Sequence, residues 1–341
     1  MTSPSNANRY SRQTLFAPIG RDGQAKLRGA RVVILGCGAL GSAQANLLAR
    51  AGVAKLRIID RDYVEENNLQ RQVLFDESDA AGRLPKAVAA ERKLKQINSE
   101  VEAEGIVADA RPANIEELIR GFDLILDGAD NFEARFLLND AAVKLNTPWI
   151  YGAVVASYGV TLTVLPGRTA CLACVFPRTP QGIHETCDTA GVIAPAAGWV
   201  ASIQVSEALK ILCGREDDLH GKLMSYDVWS NRASEIAPQR DLACAVCVRR
   251  EFVSLDGLSP AHFSMCGRDS VQIHPRVARP VDLDALGKRL AEIGTIRSNS
   301  FLVQCAIDSY EITVFADGRA IVKGTQDTAV ARSLYARYVG S

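Results

Sequence analysis

Three groups of residues have types and spacings that can do chemistry. The first is a glycine turn, Gly36-x-Gly38-x-x-Gly41, which lies between an apolar run and an amphipathic stretch. Glycines at that spacing let backbone approach a phosphate closely, and the helix that follows supplies N–H donors and positive potential. Asp60 ends the next apolar run, where an acid can accept hydrogen bonds from ribose hydroxyls. This pair of features indicates a nucleotide without separating a dinucleotide from ATP.

The second group decides between those two ligands. Asp60-Arg61-Asp62, Asn68-Leu69-Gln70-Arg71-Gln72, Pro85-Lys86 and Asp127-x-x-Asp130-Asn131 follow in chain order, each just past an apolar run. A triphosphate needs cations and a carboxylate-held Mg²⁺ beyond what a diphosphate requires. Arg71, Lys86 and Asp130 all fall where α/β sheets bind ligands, at the carboxyl ends of strands. Taken singly, each is a surface charge or a helix cap; as an ordered set they point to ATP.

The third group is sulfur. The chain has nine cysteines, and four of them form two C-x-x-C pairs, Cys171/Cys174 and Cys244/Cys247. Two such pairs can close a tetrahedral zinc site, serve as redox dithiols or be four buried thiols. Cys187 lies in Glu185-Thr186-Cys187-Asp188-Thr189-Ala190-Gly191, a loop-like segment, and Cys266 follows Met265. His184, His220, His262 and His274 have no ligand spacing.

The elements that must position these groups read as repeated β-α units. Val32–Leu35 is a short buried strand, the helix after Gly41 stops at Gly52, and Lys55–Asp60 is the next strand. The pattern continues with a helix from Lys86 to Ile97, a strand from Val101 to Val107, a helix from Ile115 to Arg120 and a strand from Phe122 to Asp127. Helices are expected over 135–145 and 201–213, with strands over 148–151 and 160–165. Arg9–Leu27 reads as a helical arm broken at Pro18 and Gly20. These spacings predict an α/β fold with a mostly parallel sheet. The expected domain boundaries are 1–252 for the nucleotide-binding unit, 253–270 for a linker and 271–341 for a small α+β domain. Asp317-Gly318 is a hairpin signal inside the small domain.

Composition sets the outer bounds. With 341 residues, 48% hydrophobic and 23% charged, the chain is an ordinary globular mixture. Thirty-nine basic and 39 acidic residues cancel, which argues against a nucleic-acid binder. Neither a membrane span nor a signal peptide is expected, so a cytoplasmic location is.

Arg9-Tyr10-Ser11-Arg12-Gln13, Gly36–Gly41, Asp60–Asp62, Asn68–Gln72, Lys86, Asp127–Asn131 and the two cysteine pairs together resemble the ThiF/MoeB family, bacterial relatives of ubiquitin-activating (E1) enzymes. The resemblance covers about residues 9–250 and implies a Rossmann-like E1/ThiF fold. It implies ATP-dependent adenylation of the C-terminal glycine of a ubiquitin-like sulfur carrier of the ThiS or MoaD type, ending in Gly-Gly. It places the nucleotide on Gly36, Gly38, Ala39, Gly41, Asp60, Asp62, Asn68, Arg71, Gln72, Lys86, Asp130 and Asn131. Within that set Asp60 takes the ribose, Asn68, Arg71 and Lys86 the phosphates, and Asp130 the Mg²⁺. It makes Arg12 a finger reaching the partner subunit of a homodimer, and Cys171, Cys174, Cys244 and Cys247 the ligands of a structural Zn²⁺. Cys187 matches the cysteine that, in some members, forms a covalent link to the activated carrier. Ala39 stands where many members have Gly, and Asn67 where Ser is common. A sulfur donor is a further expected partner, and the small C-terminal domain is expected to dock carrier or donor. The alternatives are adenylation of another carboxylate, such as a peptide C-terminus or a tRNA threonylcarbamoyl group, an NAD-dependent oxidoreductase, and a non-catalytic E1-like scaffold.

Overall fold

Successive residues of the first apolar run alternate between two cores. Val32 and Ile34 of β1 (Arg31–Leu35) pack into one, Val33 and Leu35 into the other. Both faces of the strand are covered, which is why it reads as a continuous apolar run rather than as an alternation. In this computed structural model the described residues are 9–176, 187–256, 269–273 and 280–339. The chain forms two compact units, Met1–Ser259 and Pro260–Ser341.

The first unit is built on a sheet of eight strands in the order β3-β2-β1-β4-β5-β6-β7-β8. Its strands are β1, β2 (Lys55–Asp60), β3 (Glu102–Val107), β4 (Leu124–Asp127), β5 (Trp149–Val155), β6 (Tyr158–Val164), β7 (Leu223–Asp227) and β8 (Arg232–Ile236). The first five are mutually parallel, and β6 to β8 continue antiparallel. The order reverses between β1 and β4, the switch point at which such sheets open a ligand crevice.

The helices are α1 (Ser11–Thr14), α2 (Gly20–Leu27), α3 (Ala39–Ala51), α4 (Glu77–Ala81), α5 (Lys86–Ile97), α6 (Ile115–Ile119), α7 (Phe132–Leu145), α8 (Leu172–Val175), α9 (Cys187–Ala190) and α10 (Ala194–Leu212). One core takes Ala45 and Leu48 of α3, Ala90 and Leu94 of α5 and Val205 and Ala208 of α10. The other takes Leu118 of α6, Leu138 and Ala141 of α7 and the cysteine helix α8.

Several boundaries differ from expectation, each for a local reason. Helix α7 starts at Phe132, not Arg135, because the Asn131 side chain accepts from the Ala134 N–H at 2.8 Å and caps it. Helix α10 starts seven residues early because Pro195 is tolerated in a first helical turn. Strands β5 and β6 form a hairpin whose turn carries Ala156 at φ +52°. Strand β7 is half-buried and β8 exposed, and neither carries an apolar run that would mark it as a strand.

The second unit is an antiparallel sheet, β10-β11-β12-β13-β9, of β9 (Ser270–Ile273), β10 (Thr295–Ser298), β11 (Leu302–Ile307), β12 (Tyr310–Phe315) and β13 (Ala320–Lys323). Val303, Cys305, Ile312, Val314 and Val322 face α11 (Leu283–Leu290) and α12 (Thr328–Tyr338) through Leu286, Leu290 and Ala331. The Asp317-Gly318 turn joins β12 to β13, with Gly318 at φ +83°. Among the described residues no helix is long and apolar enough to cross a membrane.

Candidate functional site

The crevice at the switch point is shaped by glycines. Gly36 has φ +89°, and a side chain there would come within 2.5 Å of the Gly128 carbonyl oxygen. A Cβ on Gly41 would overlap the Gly36 carbonyl oxygen. The turns after β1 and β4 therefore pack backbone to backbone, which brings the loop bearing Asp130 beside the glycine turn. Gly38 caps α3 with no side-chain acceptor, and the first turn of α3 carries no acid. Its N–H groups, starting with that of Ala39, are left to an anion.

Asp60, at the end of β2, is buried, and both of its carboxylate oxygens hold backbone. Oδ2 accepts from the Cys37 N–H at 2.6 Å and Oδ1 from the Asp62 N–H at 2.7 Å. Burial pushes this carboxyl above its usual range while Lys86 pulls it down. Each oxygen keeps a further lone pair for a ribose hydroxyl.

Lys86 opens α5 and is buried, with Nζ 3.8 Å from Asp62 Oδ2 and its N–H donating to the Asp62 carbonyl at 2.8 Å. Asn68 is buried and donates to Asn67 Oδ1 at 2.7 Å. Arg71 donates to the Asn67 carbonyl at 2.7 Å, which leaves the rest of its guanidinium fork for a ligand. Gln72 is buried with Oε1 unpartnered among the described residues, and its Nε2 lies 4.0 Å from where a Gly38 side chain would be. Asp130 is exposed past the end of β4, and Asn131 donates to it at 3.0 Å. Asn131 thus serves as helix cap and as partner of Asp130.

Two cations, Arg61 and Arg135, have partners that the sequence does not assign. Arg61 pairs with Asp109 at 3.1 Å; burial works against its charge, and Asp62, Asp109 and Asp130 hold it in place. Arg135 is buried and pairs with Asp127 at 3.2 Å. The available signal was an arginine on the apolar face of a helix that opens right after Asp127-x-x-Asp130-Asn131.

Tyr10 and Gln13 hold the N-terminal arm to the body. Asn98 Nδ2 donates to the Tyr10 hydroxyl at 2.8 Å, and Gln13 donates to the Ala51 carbonyl at 2.9 Å. Arg12, between them, points outward and is exposed, and so are Leu15 and Phe16.

The two C-x-x-C pairs meet. Sulfur–sulfur distances are 3.8 Å for Cys171–Cys174, 3.7 Å for Cys171–Cys244 and 3.5 Å for Cys174–Cys247, and all four atoms lie within 4.8 Å of one another. Tetrahedral zinc with its usual Zn–S bonds sets sulfurs about 3.8 Å apart, so the donor set fits that ion. Burial raises the Cys171 thiol and pushes Cys174 up to about 11, whereas Cys244 is lowered, its burial outweighed by hydrogen bonds from the Cys247 and Val246 N–H groups.

Cys187 opens α9, but its side chain lies outside the described residues, as do Cys266, His184, His262 and His274. His220 lies within them, 3.2 Å from Glu235.

The comparisons with known proteins agree with this geometry. The model of the ThiF family matches residues 10–246. The Sulfur carrier protein ThiS adenylyltransferase of Bacillus subtilis (strain 168) is 48% identical over 337 residues, 97% of this chain and 99% of the relative. The protein of that name from Escherichia coli (strain K12) is 36% identical over 241 residues, 70% of this chain and 94% of the relative. A crystal structure of E. coli MccB with ATP superposes with a TM-score of 0.61 at 26% identity, covering 72% of this chain and 76% of that one. The sheet is thus of the E1/ThiF type, mixed and mostly parallel. With most of the first unit matched, the chain belongs to the ThiF family.

Proposed function

We propose that this protein is an ATP-dependent adenylyltransferase that activates the C-terminal glycine of a ubiquitin-like sulfur carrier ending in Gly-Gly, as the first step toward a thiocarboxylate. The observation that carries this reading is the 48% identity, along 97% of the chain, to a relative named a sulfur carrier protein ThiS adenylyltransferase. The oxidoreductase and inert-scaffold alternatives are set aside on the same ground.

A free carboxylate is a poor electrophile. One of its oxygens attacks the α-phosphorus of ATP, the bond to the β-phosphate breaks, and pyrophosphate leaves with the electron pair. The product is a carboxyl–phosphate anhydride. The chain's task is to align the two reactants and to stabilise the charge that builds on pyrophosphate. In this reading Asp60 holds the ribose, the N–H groups at Gly38–Gly41 meet phosphate, and Asn68, Arg71 and Lys86 hold the departing diphosphate. Lys86 suits that task because it is buried and preplaced by Asp62.

Asp130 would hold Mg²⁺, which would neutralise part of the triphosphate charge. A single exposed carboxylate suits an ion that keeps its waters and takes its other ligands from phosphate. Zn²⁺ on Cys171, Cys174, Cys244 and Cys247 would be structural, with four thiolates and no open position. Arg12, displayed on an arm with exposed Leu15 and Phe16, would reach the phosphates of a second copy, making the working unit a homodimer. Cys187 would be the nucleophile if the carrier passes through a thioester.

The test is ATP–pyrophosphate exchange with and without a purified carrier ending in Gly-Gly. Exchange is expected only with the carrier and is lost when its final glycine is removed. Arg71→Ala should lower it by about 10² or more with the fold intact. Exchange at the same rate without any carrier would overturn the assignment.

A further inference from the structure

Strand β4 pairs with β5 at two positions, Ile125↔Trp149 and Leu126↔Ile150, and ends at Asp127 while β5 runs on to Val155. Side chains take over where the ladder stops. The Gly152 N–H of β5 donates to Asp127 Oδ2 at 3.2 Å, and the Gly152 carbonyl accepts from Arg135 Nη2 at 3.1 Å. The same Arg135 nitrogen donates to the Ala129 carbonyl at 2.7 Å, and the Ala129 N–H donates to Asp127 Oδ1 at 2.9 Å. Both backbone groups of Ala129 are therefore gripped by one ion pair, immediately before Asp130.

The grip is closed from the other sides. Gln44 and Gln204 both donate to the Asp127 carbonyl, at 2.9 and 3.0 Å. A side chain at Gly152 would sit 2.5 Å from the Gln204 amide, so β5 can approach this network only as glycine. The Arg135 guanidinium lies over the rings of Phe132 and Tyr151, 5.6 and 5.5 Å from their centroids. Those two rings in turn contact Phe176, at 5.9 and 6.3 Å, the residue that follows the cysteine helix α8. Buried on every side, Arg135 has no path to a phosphate.

We propose that Arg135, paired with Asp127, is a positioning residue that fixes the loop 128–131 and so aims Asp130 at the metal–nucleotide complex. This rests on the reading that Asp130 holds the divalent ion. An arginine is suited to the place because its planar fork serves Asp127 and two carbonyls at once. Lysine cannot span all three.

The test uses the full chain with its zinc and follows Mn²⁺ binding by electron paramagnetic resonance in the presence of a non-hydrolysable ATP analogue. Arg135→Lys and Asp127→Asn are compared with Asp130→Asn, and the Mg²⁺ dependence of pyrophosphate exchange and the melting temperature are followed alongside. Supporting polar groups around a metal ligand are worth about 10- to 100-fold in affinity. Both positioning variants are expected to need at least tenfold more Mn²⁺ and Mg²⁺ for half-saturation, with the KM for ATP nearly unchanged. Asp127→Asn keeps an acceptor for Gly152 and carries the test if Arg135→Lys does not fold. If Asp130→Asn weakens Mn²⁺ binding and neither positioning variant does, the proposal is wrong and the metal reading stands. If Asp130→Asn leaves Mn²⁺ binding unchanged, the metal reading itself has failed and the proposal falls with it.

Discussion

Asp60 accepts a hydrogen bond from the Cys37 N–H at 2.6 Å, tying the end of β2 to the middle of the glycine turn. One carboxylate thereby shapes the phosphate loop and presents itself to the ribose. Replacing it disturbs both tasks. Asp60→Asn puts an amide where two N–H groups need acceptors, so ATP affinity should fall by about 1–3 kcal/mol, with a lower melting temperature. Calorimetric titration with ATP measures this, and wild-type affinity would refute the double role.

The four-cysteine cluster predicts one zinc per chain. Cys174→Ser should lower the metal content and the melting temperature together, because the sulfurs tie the chain after β6 to the segment near Cys244. Elemental analysis of the purified wild type is the direct check; well under one zinc per chain would count against the assignment.

Because Arg12 is exposed and Lys86 is buried, a complementation experiment can separate their roles. Arg12→Ala and Lys86→Ala chains should each be nearly inactive alone. Mixed and reassorted, half of the dimers are hybrids with one intact site each, so about a quarter of full exchange activity returns. Failure to recover activity, with hybrids demonstrated by mass, would place Arg12 outside the partner's site.

Asp140 on α7 accepts from the Ser254 N–H at 3.0 Å, and burial, with Asp256 adding to it, pushes its carboxyl up to about 6. In the unfolded chain it titrates near the ordinary carboxylate value, so between those two values the folded state binds more protons. Stability from this group is therefore present in acid and declines as pH rises from about 4 to about 6. Asp140→Asn should flatten that decline and melt higher than wild type at pH 8. Parallel melting curves from pH 4 to 8 decide it; an unchanged pH profile would remove Asp140 as the cause.

What the sequence determined by itself was set by short-range physics. Strand β2 at Lys55–Asp60 and helix α5 at Lys86–Ile97 lie where the apolar periodicity placed them, because each ends at a residue that local chemistry already marks. The glycine turn and Asp60 were legible for the same reason: a tight turn after a buried strand leaves few residue choices. The four cysteines form two pairs on paper, but only folding brought all four sulfurs within 4.8 Å of one another.

The tertiary structure alone decided the rest. Half-buried β7 and exposed β8 carry no apolar run, and only the pairing of β7 to β6 and of β8 to β7 makes them strands. Arg61 belongs to a motif legible in the sequence, but only the ends of β2, β3 and β4 set it among Asp62, Asp109 and Asp130. Arg135 looked like the first residue of a helix. It became the partner of Asp127 and Gly152 only because β5 runs past the end of β4, leaving a gap in the ladder that side chains must fill. No local pattern encodes that gap, since it depends on how far two strands distant in sequence extend beside each other.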